Sequence, residues 1–221
     1  MSPLHYRERA PEGEPEGLLV LHHGRGADEL DLLGLADVLD PGRRLHVISP
    51  RAPLQPAGAA GYHWYLVPRV GYPDPATFAS AYSALAELHD ELWERTGIRP
   101  ERTVLGGFSM GAVMSYALGF GGDRPAPAGV LAFSGFMPTI EGWHPALEQR
   151  RGLPVFISHG TRDPVIPVEF ARQAHQRLLD AGLEVSYHEF ESAHHIDPRH
   201  LPLAGEWLAR SIAASEARES A

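Results

Sequence analysis

Ser109 lies in Gly107-Phe108-Ser109-Met110-Gly111, between the apolar run Thr103-Val104-Leu105-Gly106 and an apolar helical pattern from Ala112 to Leu118. Strand, G-x-S-x-G and helix in that order predict a nucleophile elbow, a sharp turn with a serine hydroxyl at its apex. Serine alone is a poor nucleophile at neutral pH. It needs a base within hydrogen-bond reach, and the base needs a third group to hold its tautomer and steady its positive charge. Downstream stretches supply both. Asp163 follows Ser109 by 54 residues, and the pair His194-His195 begins 31 residues after Asp163. The spacing alone does not choose between the two histidines. Glu191 and Asp197 rival Asp163 as the acid, but both lie too close in sequence to the histidines.

Attack on a carbonyl also needs donors for the developing oxyanion, each worth roughly 2.7–4 kcal/mol. The backbone N–H of Met110 is one candidate, at the start of a helix whose dipole favours negative charge. The second is the N–H of Arg25, in the glycine-rich turn His23-Gly24-Arg25-Gly26. Here the backbone is what matters; the Arg25 side chain is incidental to the oxyanion contact. His23 reads as a structural residue that hydrogen-bonds neighbouring loops. Trp64, Tyr65, Phe136 and Met137 fall at strand ends or in a long loop, where a substrate pocket belongs, and carry apolar bulk suited to an acyl chain.

The elements that must position these residues alternate along the chain. Buried-strand runs occur at Leu18–His22, Leu45–Ser49, Thr103–Gly107, Gly129–Ser134 and Pro154–His159, and Val185–Phe190 alternates as an edge strand would. Between them, Leu32–Leu39, Phe78–Leu92, Met110–Phe120, Ala171–Leu179 and Leu201–Ile212 carry helical apolar stripes. Asp28 is a candidate cap for the first of these helices and Asp74-Pro75 opens the second. The segment from Pro50 to Pro75 has no regular period, and its aromatic cluster at His63-Trp64-Tyr65 argues for an ordered, functional loop. The pattern predicts an α/β fold, a mostly parallel doubly wound sheet with helices on both faces and a minimal cap. Ligands bind beyond the C-terminal strand ends of such a sheet, where all the candidate residues lie. The whole chain, 1–221, reads as a single domain, with residues 1–16 and 214–221 expected to be loosely ordered.

Composition narrows the chemistry. The 221 residues are 43% hydrophobic, enough for one sizeable core. There is no cysteine, lysine or asparagine. Disulfides, cysteine nucleophiles, Schiff bases, Ser-Lys dyads and P-loop lysines are therefore excluded. The net charge of -9 and the lack of a basic patch disfavour a nucleic-acid partner. Thirteen histidines invite a metal, but no H-E-x-x-H or H-x-x-E-H is present. The adjacent pairs at 22–23 and 194–195 would point to opposite faces. No cofactor is expected. The N-terminus lacks a signal-peptide core and no stretch is long enough to span a membrane, so the expectation is a soluble cytoplasmic protein.

The order Ser, Asp, His is that of α/β-hydrolases. Together, His23-Gly24-Arg25-Gly26, the elbow, His159-Gly160-Thr161-Arg162-Asp163-Pro164-Val165-Ile166-Pro167 and Ala193-His194-His195-Ile196 make the chain resemble the phospholipase/carboxylesterase family. That family includes small bacterial carboxylesterases and acyl-protein thioesterases. The likeness covers about Leu18 to Leu208. It implies a cofactor-independent serine hydrolase of carboxylic esters, with lysophospholipids or acylated proteins as further substrate classes. The family's Gly-His-x-Ile motif, matched by Ala193-His194-His195-Ile196, implies that His194 is the base; the alanine departs from the usual glycine. The resemblance also suggests a homodimer, which nothing in the residues themselves supports. A non-catalytic binding protein on the same fold would typically have lost one of Ser109, Asp163 and His194.

Overall fold

The computed structural model describes residues 4–219. Seven strands form one sheet: β1 (Tyr6–Arg9), β2 (Gly17–His22), β3 (Leu45–Pro50), β4 (Thr103–Phe108), β5 (Gly129–Phe133), β6 (Pro154–Gly160) and β7 (Glu184–Phe190). Their order is β1-β3-β2-β4-β5-β6-β7. All neighbours are parallel except β1 and β3. The sheet is open, and β2 and β4 sit at its centre, where every residue from Gly17 to His22 is buried.

Continuous apolar runs make these strands because both faces are covered. Leu18 and Val20 meet α2 (Pro75–Thr96) and α3 (Met110–Phe120) in one core. Leu19 and Leu21 point the other way, to α1 (Ala36–Leu39) and α5 (Leu201–Glu219). Further along the first face, Val130, Val155 and Ile157 pack under α4 (Glu169–Asp180) with Tyr116 and Phe120 of α3. α2 begins as its residues dictate: the Asp74 side chain accepts the Thr77 N–H at 2.9 Å, Pro75 opens the helix and Gly97 ends it at φ 68. β7 is the edge strand that its alternation implies, paired only with β6.

Three expectations differ from the structure. The segment 1–16 is not loose throughout, because Tyr6–Arg9 pairs with β3 in an antiparallel register. Its sequence, YRER, has no apolar run to betray a strand; Tyr6 packs on the core, and the other anchor is polar. The Arg9 guanidinium is buried, donates to Asp40 Oδ2 at 2.5 Å, and reaches the Ala36 and Asp40 carbonyls at 3.1 Å. The first predicted helix is a 3₁₀ turn at Leu33–Leu35 running into the single turn of α1. Asp28 accordingly caps a local turn, accepting the Leu30 N–H. Of the tail 214–221, residues 214–219 are not irregular but continue α5 as helix, and residues 220 and 221 lie outside the described residues. Alanine, glutamate and arginine there are strong helix formers, which outweighs the lack of an apolar stripe. No described helix is long and apolar enough to cross a membrane.

Candidate active site

The C-terminal ends of β2, β4, β6 and β7 deliver the candidate residues to one place. Ser109 has φ 55 and ψ -119, a conformation that a residue with a side chain rarely adopts. The turn is held by the Ser109 N–H on the Phe133 carbonyl at 2.8 Å and the Val113 N–H on the Ser109 carbonyl at 3.2 Å. The flanking glycines are required by close approach. A Cβ on Gly111 would stand 1.9 Å from the His22 carbonyl oxygen, and one on Gly107 would stand 2.5 Å from the Gly111 backbone. The helix after the elbow thus presses against the end of the central strand.

His194 follows β7 and bridges the other two groups. Its Nε2 lies 2.8 Å from Ser109 Oγ and its Nδ1 lies 2.6 Å from Asp163 Oδ2. An ionised carboxylate only accepts, so Nδ1 carries the proton and Nε2 is left to accept from the serine hydroxyl. The Phe108 ring packs against the imidazole at 4.9 Å between centroids. Asp163 is fixed on its other oxygen, where Oδ1 accepts the Val165 and Ile166 N–H groups at 2.8 and 2.9 Å. His159 flanks it. The His159 Nε2–H donates to the Ile166 carbonyl at 2.8 Å and passes 3.4 Å from Asp163 Oδ2. Burial holds His159 below its ordinary pKa, so it stays neutral there.

The rivals are elsewhere. His195 is exposed and not part of this arrangement. Glu191 is paired with Arg162 on the surface, and Asp197 is held by Arg199. Among the described residues, no group of three or more histidine, aspartate and glutamate side chains could hold a metal ion.

Beside Ser109 lies a cavity of about 90 Å³. Arg25 and Met110 line it together with Ser109, Tyr65 and Phe136. Among the described residues, neither the Arg25 N–H nor the Met110 N–H has a hydrogen-bond acceptor. Trp64 and Met137, expected in the pocket wall, are not in it. Trp64 is fully buried as a clamp behind the turn: its indole N–H donates to the His23 carbonyl at 2.9 Å, and its backbone N–H meets Met110 Sδ at 3.2 Å. Met137 packs into the α3–α4 core on the far side. His23 is structural, as its position suggested: Nδ1–H donates to the Gly24 carbonyl and Nε2 accepts the Ala52 N–H.

Sequence reasoning missed four wall residues, Val67, Val70, Val165 and Ile166. Val165 and Ile166 stand two and three residues after Asp163, so the acid's own motif was a usable signal. Val67 and Val70 lie in the aperiodic loop and carried none.

This architecture recurs in known proteins. A solved carboxylesterase from Bacillus cereus superposes with a TM-score of 0.82 over 95% of this chain and 95% of that one, at 24% identity. Lysophospholipase-like protein 1 of Mus musculus is 26% identical over 198 residues, 84% of this chain and 82% of that protein. Acyl-protein thioesterase 1 of Emericella nidulans is 33% identical over 123 residues, a match spanning 53% of this chain and about half of that relative, 51%. The phospholipase/carboxylesterase family model matches residues 7–212. With that match covering nearly all of it, the chain belongs to the phospholipase/carboxylesterase family, on an α/β-hydrolase fold.

Proposed function

We propose that this protein hydrolyses carboxylic esters of small molecules through an acyl-enzyme on Ser109. The observation that carries this reading is the contact chain Ser109–His194–Asp163, at 2.8 and 2.6 Å. Ser109 Oγ attacks the acyl carbonyl as His194 Nε2 takes its proton. Asp163 holds the Nδ1–H tautomer and stabilises the imidazolium that forms. The carbonyl oxygen becomes an oxyanion and accepts from the Arg25 and Met110 N–H groups, which have no other acceptor among the described residues. His194 then gives its proton to the departing alkoxide. Water, deprotonated by His194, attacks the acyl-enzyme and releases the acid and free Ser109. No cofactor enters.

A thioester or lysophospholipid substrate is the second reading, favoured by the apolar rim. Val70 and Val165 line the cavity yet are 37% and 44% exposed, a surface on which a longer acyl chain could continue outward. Activity confined to short acyl chains would count against it. For the main reading, the Ser109→Ala protein should stay folded and lose turnover of p-nitrophenyl acetate by at least ~10³-fold. It should also lose labelling by a fluorophosphonate. Undiminished turnover by the pure variant would overturn the assignment.

A further inference from the structure

The side chain of Arg25 has a job distinct from that of its backbone. The cavity wall beside Ser109 is built from Val67, Val70, Met110, Phe136, Val165 and Ile166, with the buried phenol Tyr65. Among the described residues that line it, Arg25 alone carries a formal charge; its side chain is exposed, and burial together with that charge holds the nearby His63 ring below its ordinary pKa. Among the described residues it has no carboxylate partner. Two of the three acids that follow it in the loop are engaged elsewhere. Glu29 is taken by Arg51 through two bonds of 2.6 and 2.5 Å, and Asp28 accepts the Leu30 N–H at 2.9 Å. Arg51, close by, shows what a structural arginine looks like here: forked onto a carboxylate and stacked on the Tyr62 ring at 4.6 Å.

An unpaired guanidinium at a pocket mouth presents a fork of donors matched to a carboxylate or phosphate. The chain carries a net charge of -9, which repels anionic substrates at long range, so a cation at the mouth is where that repulsion is offset. The charge also belongs to the residue whose N–H is proposed above to bind the oxyanion. It therefore lies within one side-chain length of the reacting carbonyl.

We infer that Arg25 selects esters that carry an anionic group a few bonds from the scissile carbonyl, its guanidinium pairing with that group while the apolar wall takes the intervening carbons. The inference rests on the ester-hydrolase reading of Ser109. The anion could belong to the acid or to the alcohol half of the ester, and two matched pairs separate these. Monomethyl glutarate against methyl pentanoate tests the acid half; 4-acetoxybutyrate against butyl acetate tests the alcohol half. In each pair a carboxylate replaces a methyl group.

The readout is the anionic-to-neutral ratio of kcat/KM, measured by proton release, because any disturbance of the Arg25 N–H enters both members of a pair alike. In the wild-type protein one pair should favour the anionic ester over its neutral partner by about tenfold. Raising sodium chloride should shrink that preference. Arg25→Gln should abolish the preference and Arg25→Glu should invert it. Ratios in both pairs that stay within twofold across all three proteins, while p-nitrophenyl acetate is still turned over, overturn the inference and leave the esterase reading standing. No turnover of any of the five esters by the wild-type protein overturns both.

Discussion

Replacing Asp163 by asparagine tests the site through a change of two atoms' chemistry with almost no change of shape. The carboxylate accepts three hydrogen bonds: two on Oδ1 from the Val165 and Ile166 N–H groups, at 2.8 and 2.9 Å, and one on Oδ2 from His194 at 2.6 Å. An asparagine amide can satisfy the two backbone donors only with its oxygen. Turning its NH₂ toward them would leave buried donors facing donors, at roughly 1–3 kcal/mol for each unpaired group. The NH₂ must therefore face His194 Nδ1, which becomes an acceptor. The imidazole proton moves to Nε2, the nitrogen 2.8 Å from Ser109 Oγ, where it blocks acceptance of the serine proton. A triad held in the wrong tautomer loses about 10⁴-fold in rate, equivalent to ~5.5 kcal/mol of activation free energy. The kcat/KM for p-nitrophenyl acetate should fall by that order, while the urea midpoint stays near that of the wild-type protein because no partner is lost. Asp163→Ala should lower both, since it strands the two backbone donors. A loss below tenfold in the Asp163→Asn protein, with the fold intact, would refute the assigned tautomer and with it the role of Asp163.

Two further tests concern stability. His89 is buried against His22, with ring centroids 5.6 Å apart, and burial, helped by the charge of Arg124, pulls its pKa down to about 3. In the unfolded chain histidine titrates near ~6.5, so between these values the unfolded state binds the extra proton. Stability is therefore complete above about pH 6.5 and declines as pH falls toward 3, by up to ~1.4 kcal/mol per pH unit for this group. His22, shifted downward by its own burial, adds in the same direction. His89→Leu should flatten the fall in urea midpoint between pH 7 and pH 5, and an unaltered slope would show that His89 is not the cause. Arg9→Met should cost roughly 3–5 kcal/mol, because it takes from buried Asp40 the cation 2.5 Å away and leaves only half-exposed Arg44 at 3.9 Å. Urea unfolding measures this, and a loss below ~1 kcal/mol would mean that β1 is dispensable.

What could be read from the residues depended on how local the signal was. The elbow was legible because strand, glycines, serine and helix are contiguous, and the glycines answer clashes within the same turn. Asp163 could be singled out because it follows a buried apolar strand. Choosing His194 over His195 needed either the family motif or the geometry, since two neighbours in a loop carry no periodicity. Trp64 misled because an aromatic residue in a loop suggests a pocket wall. Its indole N–H instead found the His23 carbonyl, 41 residues away, a pairing that no local pattern encodes. β1 was invisible for a related reason: one tyrosine on the core and Arg9 reaching Asp40 anchor it, with no apolar alternation to read. The four missed valine and isoleucine wall residues are chemically ordinary, and only their placement beside Ser109 distinguishes them.

The order of strands has a consequence for when the protein becomes active. From β4 outward the sheet adds β5, β6 and β7 in the order in which the chain is made. Ser109 belongs to the centre, but its partner His194 arrives only after β7, the outermost strand on that side. On the proposed assignment, a nascent chain contains the elbow and Asp163 before it contains the base, and a domain folds as a unit. The contact between residues 109 and 194 joins positions 85 apart in the chain. On the proposed assignment, hydrolytic competence requires that the final strand has docked, so a chain cut before β7 should be chemically silent rather than indiscriminately reactive.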